Sequence, residues 1–353
     1  DHPEGEVDAA DTREQDPPVR VVVGIHDGHL RMLPRSPPVG LTRHVPGAGP
    51  RSDTCICEPV GMDELRWTAD DLLASRLDRP ILVVAFRGLF DAAGSATSAV
   101  EWLVERLDSS EIGDVDPETF FDFTQERPIV EFDGHGVRRV RWAANRVLAV
   151  RTPEGQRDLV LVAGVEPHLR WRTFTEALRE AAARTESQMV VTLGSMSGMS
   201  PHSRPPAVTG SSTNRDLAER LGLDNPSYQG PTGVVGVLLD TMDRAGVPAI
   251  SLRVSVPYYL PDSPNPKATR ALLRRFEQVT GVDTAHAALD GPAAEWQLRV
   301  DQAVAGDEEV TEHVRRLESQ VDRSEDLMPR GDDLAAELEA FLRDQDQRHS
   351  DED

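Results

Sequence analysis

Along the chain, apolar positions first fall into a buried-strand pattern at Ile81-Leu82-Val83-Val84-Ala85-Phe86, a continuous run bounded by Pro80 and Gly88. Such a run predicts a strand covered on both faces. Before it, Leu65, Trp67, Leu72, Leu73 and Leu77 recur at helical spacing and predict a helix over 65–77. After it, the small residues of Asp91-Ala92-Ala93-Gly94-Ser95-Ala96 turn the chain into a helix that Trp102, Leu103 and Leu107 carry onto a sheet. Short β-rich runs come next at 129–132, 137–142, 147–150 and 159–163, with turns at Asp133-Gly134-His135-Gly136 and Pro153-Glu154-Gly155. They predict antiparallel hairpins feeding a central strand. Phe174, Leu178 and Ala182 mark one face of the next helix, and Met189-Val190-Val191-Thr192-Leu193 is another buried strand.

The rest of the chain is arranged around the residues just beyond that strand. A polar segment, Gly194 to Pro206, leads through a short helix to Gly230-Pro231-Thr232-Gly233, which opens a second helix at Val234. The strand Ala249 to Val256 closes the β region at Pro257, and beyond Pro264 only helical patterns remain, over 267–280, 293–305, 308–321 and 332–343. This alternation is that of an α/β core with a small all-helical C-terminal domain. The division it predicts is a leader at 1–61, a core at 62–262, a helical part at 263–343 and an acidic tail at 344–353.

The leader reads differently from the rest. It holds both cysteines, nine of the 26 prolines and four of the ten histidines, and it offers one short strand near 19–25. We expect an irregular or disordered extension, placed upstream of a functional start at Met62. His26-Asp27-Gly28-His29 with Cys55-Ile56-Cys57 supplies four potential ligands, but the spacing is not that of a zinc module. We expect neither a metal nor a cofactor.

Composition narrows the function classes. With 61 acidic and 38 basic residues the net charge is -23, which argues against a nucleic-acid partner, since phosphate contacts need a basic surface. Lysine occurs once, at Lys267. No apolar run approaches the roughly 18 residues of a membrane span. Two cysteines one residue apart make no disulfide framework. A soluble protein of a reducing, cytoplasmic compartment is expected.

In an α/β sheet, ligands sit outside the carboxyl ends of the strands. There the sequence offers Ser195, Ser197, His202 and Arg204 on one segment and Gly230, Thr232 and Gly233 at a helix start whose free N–H groups suit an anion. The segment Gly194-Ser195-Met196-Ser197-Gly198 is not a nucleophile elbow, because Met stands at the central position. It also carries no acid to orient His202 as a base. No catalytic residue is assigned. Tyr258 and Tyr259, beside Pro257 and Pro261, suit either a partner-contact surface or an anchor joining sheet to helical domain.

Six stretches together resemble the proteasome assembly chaperone 2 (PAC2) family, in its bacterial, actinobacterial-type branch. They are ILVVAFRGLFDAAG (81–94), LVLVAGVEPHLRWRTF (159–174), VVTLGSMSGMSPHSRPPAVTG (190–210), YQGPTGVVGV (228–237), VPYYLPDSPNPKAT (256–269) and GDDLAAELEAFL (331–342). The resemblance implies an αβα sandwich of nucleoside phosphorylase-like topology and a homo-oligomer, a trimer among the expected forms. It further implies a non-catalytic scaffold or assembly-chaperone-like role, with proteasome subunits as candidate partners. The alternative the residues leave open is an enzyme that binds a small molecule or anion on a phosphorylase-like fold.

Overall fold

The computed structural model describes residues 23–26, 29–32, 64–68 and 77–326 of the chain. Two short strands, β1 (Val23–His26) and β2 (His29–Met32), form an antiparallel hairpin inside the predicted leader. Cys55, Cys57, the predicted helix over 332–343 and the acidic tail lie outside the described residues.

The body is one eight-stranded mixed sheet. Its strands are β3 (Leu65–Trp67), β4 (Ile81–Arg87), β5 (Asp108–Val115), β8 (Asn145–Arg151), β9 (Leu159–Val165), β10 (Met189–Gly198), β11 (Val208–Ser211) and β12 (Ala249–Pro257). They lie in the order β11-β12-β10-β4-β9-β8-β5-β3. The inner four, β12, β10, β4 and β9, are parallel, and the flanking pairs are antiparallel. Period-two alternation then divides each inner strand between two cores. Ile81, Val83 and Ala85 of β4 face one side with Val191, Leu193, Ile250 and Leu252. Leu82, Val84 and Phe86 face the other with Val160, Val162 and Val190.

Two helices cover each face. On the first lie α1 (Ser95–Arg106) and α6 (Pro266–Thr280), and on the second α3 (Trp171–Arg184) and α5 (Val234–Arg244), with Phe120 of the single-turn α2 (Pro117–Phe120) beside them. The result is an αβα sandwich. Between β11 and α5 runs α4 (Arg215–Leu221), capped by Asn214. The helical end of the chain consists of α7 (Asp290–Ala305) and α8 (Glu308–Asp326). Trp296, Val300, Val304, Val310, Val314 and Leu317 from these helices close a third, smaller core over Tyr259 and Leu260, just past the end of β12. Although α6 reads in sequence as part of the helical end, it packs on the sheet through Leu272, Leu273 and Phe276, each fully buried.

Several local expectations change. Leu65–Trp67 is an edge strand paired with β5 rather than the start of a helix, and residues 69–76 lie outside the described part. The sequence of β5, Asp-Ser-Ser-Glu-Ile-Gly-Asp-Val, has few β-formers and shows no strand signal, yet it spans the gap between β8 and β3. Strands β6 (Ile129–Phe132) and β7 (Arg138–Arg141) do not feed the sheet but form a separate two-stranded ribbon. Finally, β10 continues to Gly198, pairing with β12 as far as Pro257, so the first five residues of the predicted polar loop are strand.

Candidate functional site

Beyond β10, the segment His202-Ser203-Arg204 is bound on all sides by the chain's own helices. The His202 ring is buried at 3% exposure, with Nδ1 2.7 Å from the Tyr259 hydroxyl and Nε2 2.9 Å from Asp301 Oδ1 on α7. The Tyr259 hydroxyl also accepts from the His202 backbone N–H at 2.9 Å. With the hydroxyl's own proton donated to Nδ1, the imidazole is neutral and carries its proton on Nε2, donated to Asp301. Burial lowers the imidazole pKa, against the raising effect of Asp301, and burial pushes the Tyr259 phenol well above its usual value. Both shifts favour that arrangement of protons.

Arg204 grips Asp322 of α8 through two bonds of 2.7 and 2.8 Å and stands 3.5 Å from Glu318, while Ser203 donates to the same Glu318. Lys267, the single lysine, donates to the His202 carbonyl at 2.8 Å and to Gln297 at 2.7 Å. This segment is a clamp that fastens α7 and α8 to the end of the sheet. Tyr259 is 3% exposed inside the third core, so of the two readings its sequence setting left open it is placed as the anchor between sheet and helices and not as an exposed contact. Tyr258 stacks edge-on against Tyr259 and shares a hydrogen bond with His313 of α8.

Ser195 is fully buried and donates to the Ala92 carbonyl at 2.8 Å. Nearby, Asp91 accepts from the Ala96 and Thr97 amides and from the Thr97 hydroxyl, which ties the start of α1 to β10. The acid and the serine are neighbours, but the histidine a triad would need has both ring nitrogens engaged with Tyr259 and Asp301.

The two segments singled out in the sequence do converge. Gly194, Met196 and Ser197 of β10 and Tyr228, Pro231 and Thr232 before α5 line one cavity of about 620 Å³. The anion site expected at the start of α5 is occupied from within. Glu166 Oε1 accepts from the Val234 N–H at 3.3 Å, and Oε2 accepts from the Leu89 N–H at 2.8 Å. A Cβ at Gly88 or Gly233 would stand 2.5 or 3.0 Å from that carboxylate, so these glycines are what admit it. Gly233 is the buried N-cap of α5, whereas Gly230 and Thr232 are exposed.

Among the described residues, no group of three or more His, Cys, Asp or Glu side chains is placed to hold a metal ion, and no helix is long and apolar enough to cross a membrane. Cluster and cavity residues outside the sequence reading are Asp301, Glu318 and Asp322, and Thr192, Ser251 and Arg253 inside the strands. The first three look like ordinary helix-surface acids. Thr192 and Ser251 do leave a trace, as hydroxyls interrupting the apolar runs of β10 and β12.

A model of the PAC2 family matches residues 85–304, more than half the chain. The chain belongs to the PAC2 family. A PAC2 family protein from Streptomyces avermitilis is 42% identical, with a TM-score of 0.62 over 67% of this chain and 99% of its own. A proteasome-assembly chaperone homologue from Mycobacterium tuberculosis is 37% identical, with a TM-score of 0.61 over 66% of this chain and 99% of its own. A second Mycobacterium tuberculosis protein, of unknown function, is 29% identical, with a TM-score of 0.64 over 70% and 86% of the two chains. Among curated proteins none matches. The PAC2 fold neighbours and the αβα sandwich agree with the architecture that the resemblance implied.

Proposed function

We propose that this PAC2 protein is a non-catalytic, self-associating scaffold of the cytoplasm that acts as an assembly chaperone for proteasome subunits. Carrying the reading is its likeness to the proteasome-assembly chaperone homologue, which it spans over 99% of that protein's length. The internal use of the polar segment supports it. His202, Ser203 and Arg204 are spent on holding helices, and Ser195 is spent on a buried turn.

A contact surface of the right kind is available on the β6–β7 ribbon. Phe132 is 68% exposed, and Val130, Val137, Val140 and Trp142 are exposed around it. A two-stranded ribbon is marginal in water by itself, and an exposed apolar patch of this kind marks an interaction surface. Arg139 and Arg141 are paired with Asp133 and Glu131 of the same ribbon, at 3.0 and 3.2 Å, so its apolar side chains rather than its charge are what a second copy of the chain would cover. We therefore assign self-association to the ribbon.

Mixing the full chain with purified proteasome α subunits and measuring mass by size exclusion with light scattering tests the role. A co-eluting complex is expected. Separate elution of the components across micromolar concentrations rejects the chaperone reading.

A further inference from the structure

The cavity beneath α5 is built differently from the rest of that layer. On the sheet face turned toward α3 and α5, β4 presents Leu82, Val84 and Phe86 and β9 presents Val160 and Val162, all packed in the core. The neighbouring strands present Thr192 and Gly194 from β10 and Ser251 and Arg253 from β12, and all four line the cavity. Small and polar residues stand where their neighbours carry large apolar ones. The space they leave, about 620 Å³, is of the size that holds a small organic molecule.

Two of these residues lack the partners their chemistry calls for. Thr192 is 1% exposed, and among the described residues its hydroxyl has no hydrogen-bond partner. A buried hydroxyl in that condition is destabilising, and a ligand's polar group would supply the missing partner. Arg253 makes one hydrogen bond there, to the Ser211 hydroxyl at 3.3 Å, and no described carboxylate pairs with it. Opposite, Val235 and Leu239 of α5 supply an apolar wall. With Glu166 already seated on the amides of α5, an incoming anion has Arg253 as its partner.

We infer that this cavity binds a small organic anion with an apolar ring body. The ring lies between Val235 and Leu239 and the sheet, a polar edge meets the Thr192 hydroxyl, and the anionic group pairs with Arg253. This site stands apart from the self-association and chaperone reading and does not depend on it.

Two fluorescent probes of one shape test it: 8-anilinonaphthalene-1-sulfonate, which carries the anion, and N-phenyl-1-naphthylamine, which does not. The sulfonate should bind the folded full chain at one site. Arg253→Gln should weaken it by about tenfold while leaving the neutral probe unchanged, as expected for a lost charge-assisted contact. Ser251→Leu, which fills the cavity, should abolish binding of both probes, and Phe132→Asp on the ribbon should leave both intact. Circular dichroism and the thermal midpoint establish that each variant is folded, and Thr192→Val serves as a near-isosteric second variant that should weaken the sulfonate. The inference is overturned if the folded chain does not enhance the sulfonate's fluorescence, if Ser251→Leu binds like the wild type, or if binding follows Phe132 instead.

Discussion

His202 shows how a residue whose sequence setting suggests chemistry can be consumed by architecture. Its ring is held between Tyr259 and Asp301, and the Nδ1 that accepts from Tyr259 can do so only in the neutral form. Removing it as His202→Ala strands the Tyr259 hydroxyl in the third core and should lower stability by about 2–3 kcal/mol, read from denaturant unfolding. Its depressed pKa sets the sign of a pH effect. Below about 6.5 the unfolded chain binds a proton at this histidine that the folded chain refuses, so stability falls as pH drops from there toward the lower folded value. His313, lowered by burial and by Arg316, acts in the same direction. Unfolding midpoints across pH 5 to 8 should therefore fall toward pH 5 in the wild type and fall less in His202→Gln. The sequence places His202 correctly past the end of β10. It could not reveal the partners, because Asp301 lies 99 residues away on a helix whose acids all read alike.

At the scale of elements, the two connections that leave β4 and β9 meet the start of α5 through Glu166. This carboxylate satisfies the first turn of α5 and the Leu89 amide together. Glu166→Ala should cost about 1–2 kcal/mol by leaving those amides without an acceptor, and Glu166→Gln should cost less. Chemical denaturation of the two variants measures the difference. The inner strands were legible because Ile81 to Phe86 and Leu159 to Ala163 are continuous apolar runs, as burial on both faces requires, and Ala249 to Val256 keeps an apolar residue at every second position. The edges were not. β5 is held by pairing with β8 and β3 although its own residues favour no strand, and β11 is a four-residue edge whose Thr-Gly-Ser gives no periodicity. The tight turn at Gly230 to Gly233 was readable as a helix start, but which anion would sit on it depends on Glu166, 68 residues earlier.

For the whole molecule, one end of the sheet is spent on an internal clamp, and the apolar residues of the ribbon are left exposed. The clamp gives the serine, histidine and arginine of one loop an internal role: they bind α7 and α8. If that is their work, Arg204→Ala should free the helical end locally while the sheet stays folded. Hydrogen exchange should then rise in α8 and remain unchanged in β4 and β10. The exposed ribbon carries the other half of the account. The most direct test is the mass of the full chain in solution, measured by light scattering for the wild type and for Phe132→Asp. A multiple of the single-chain mass is expected for the wild type and a single chain for the variant, with the thermal midpoint unchanged. A wild type that stays a single chain, or a variant that assembles as fully as the wild type, would contradict it.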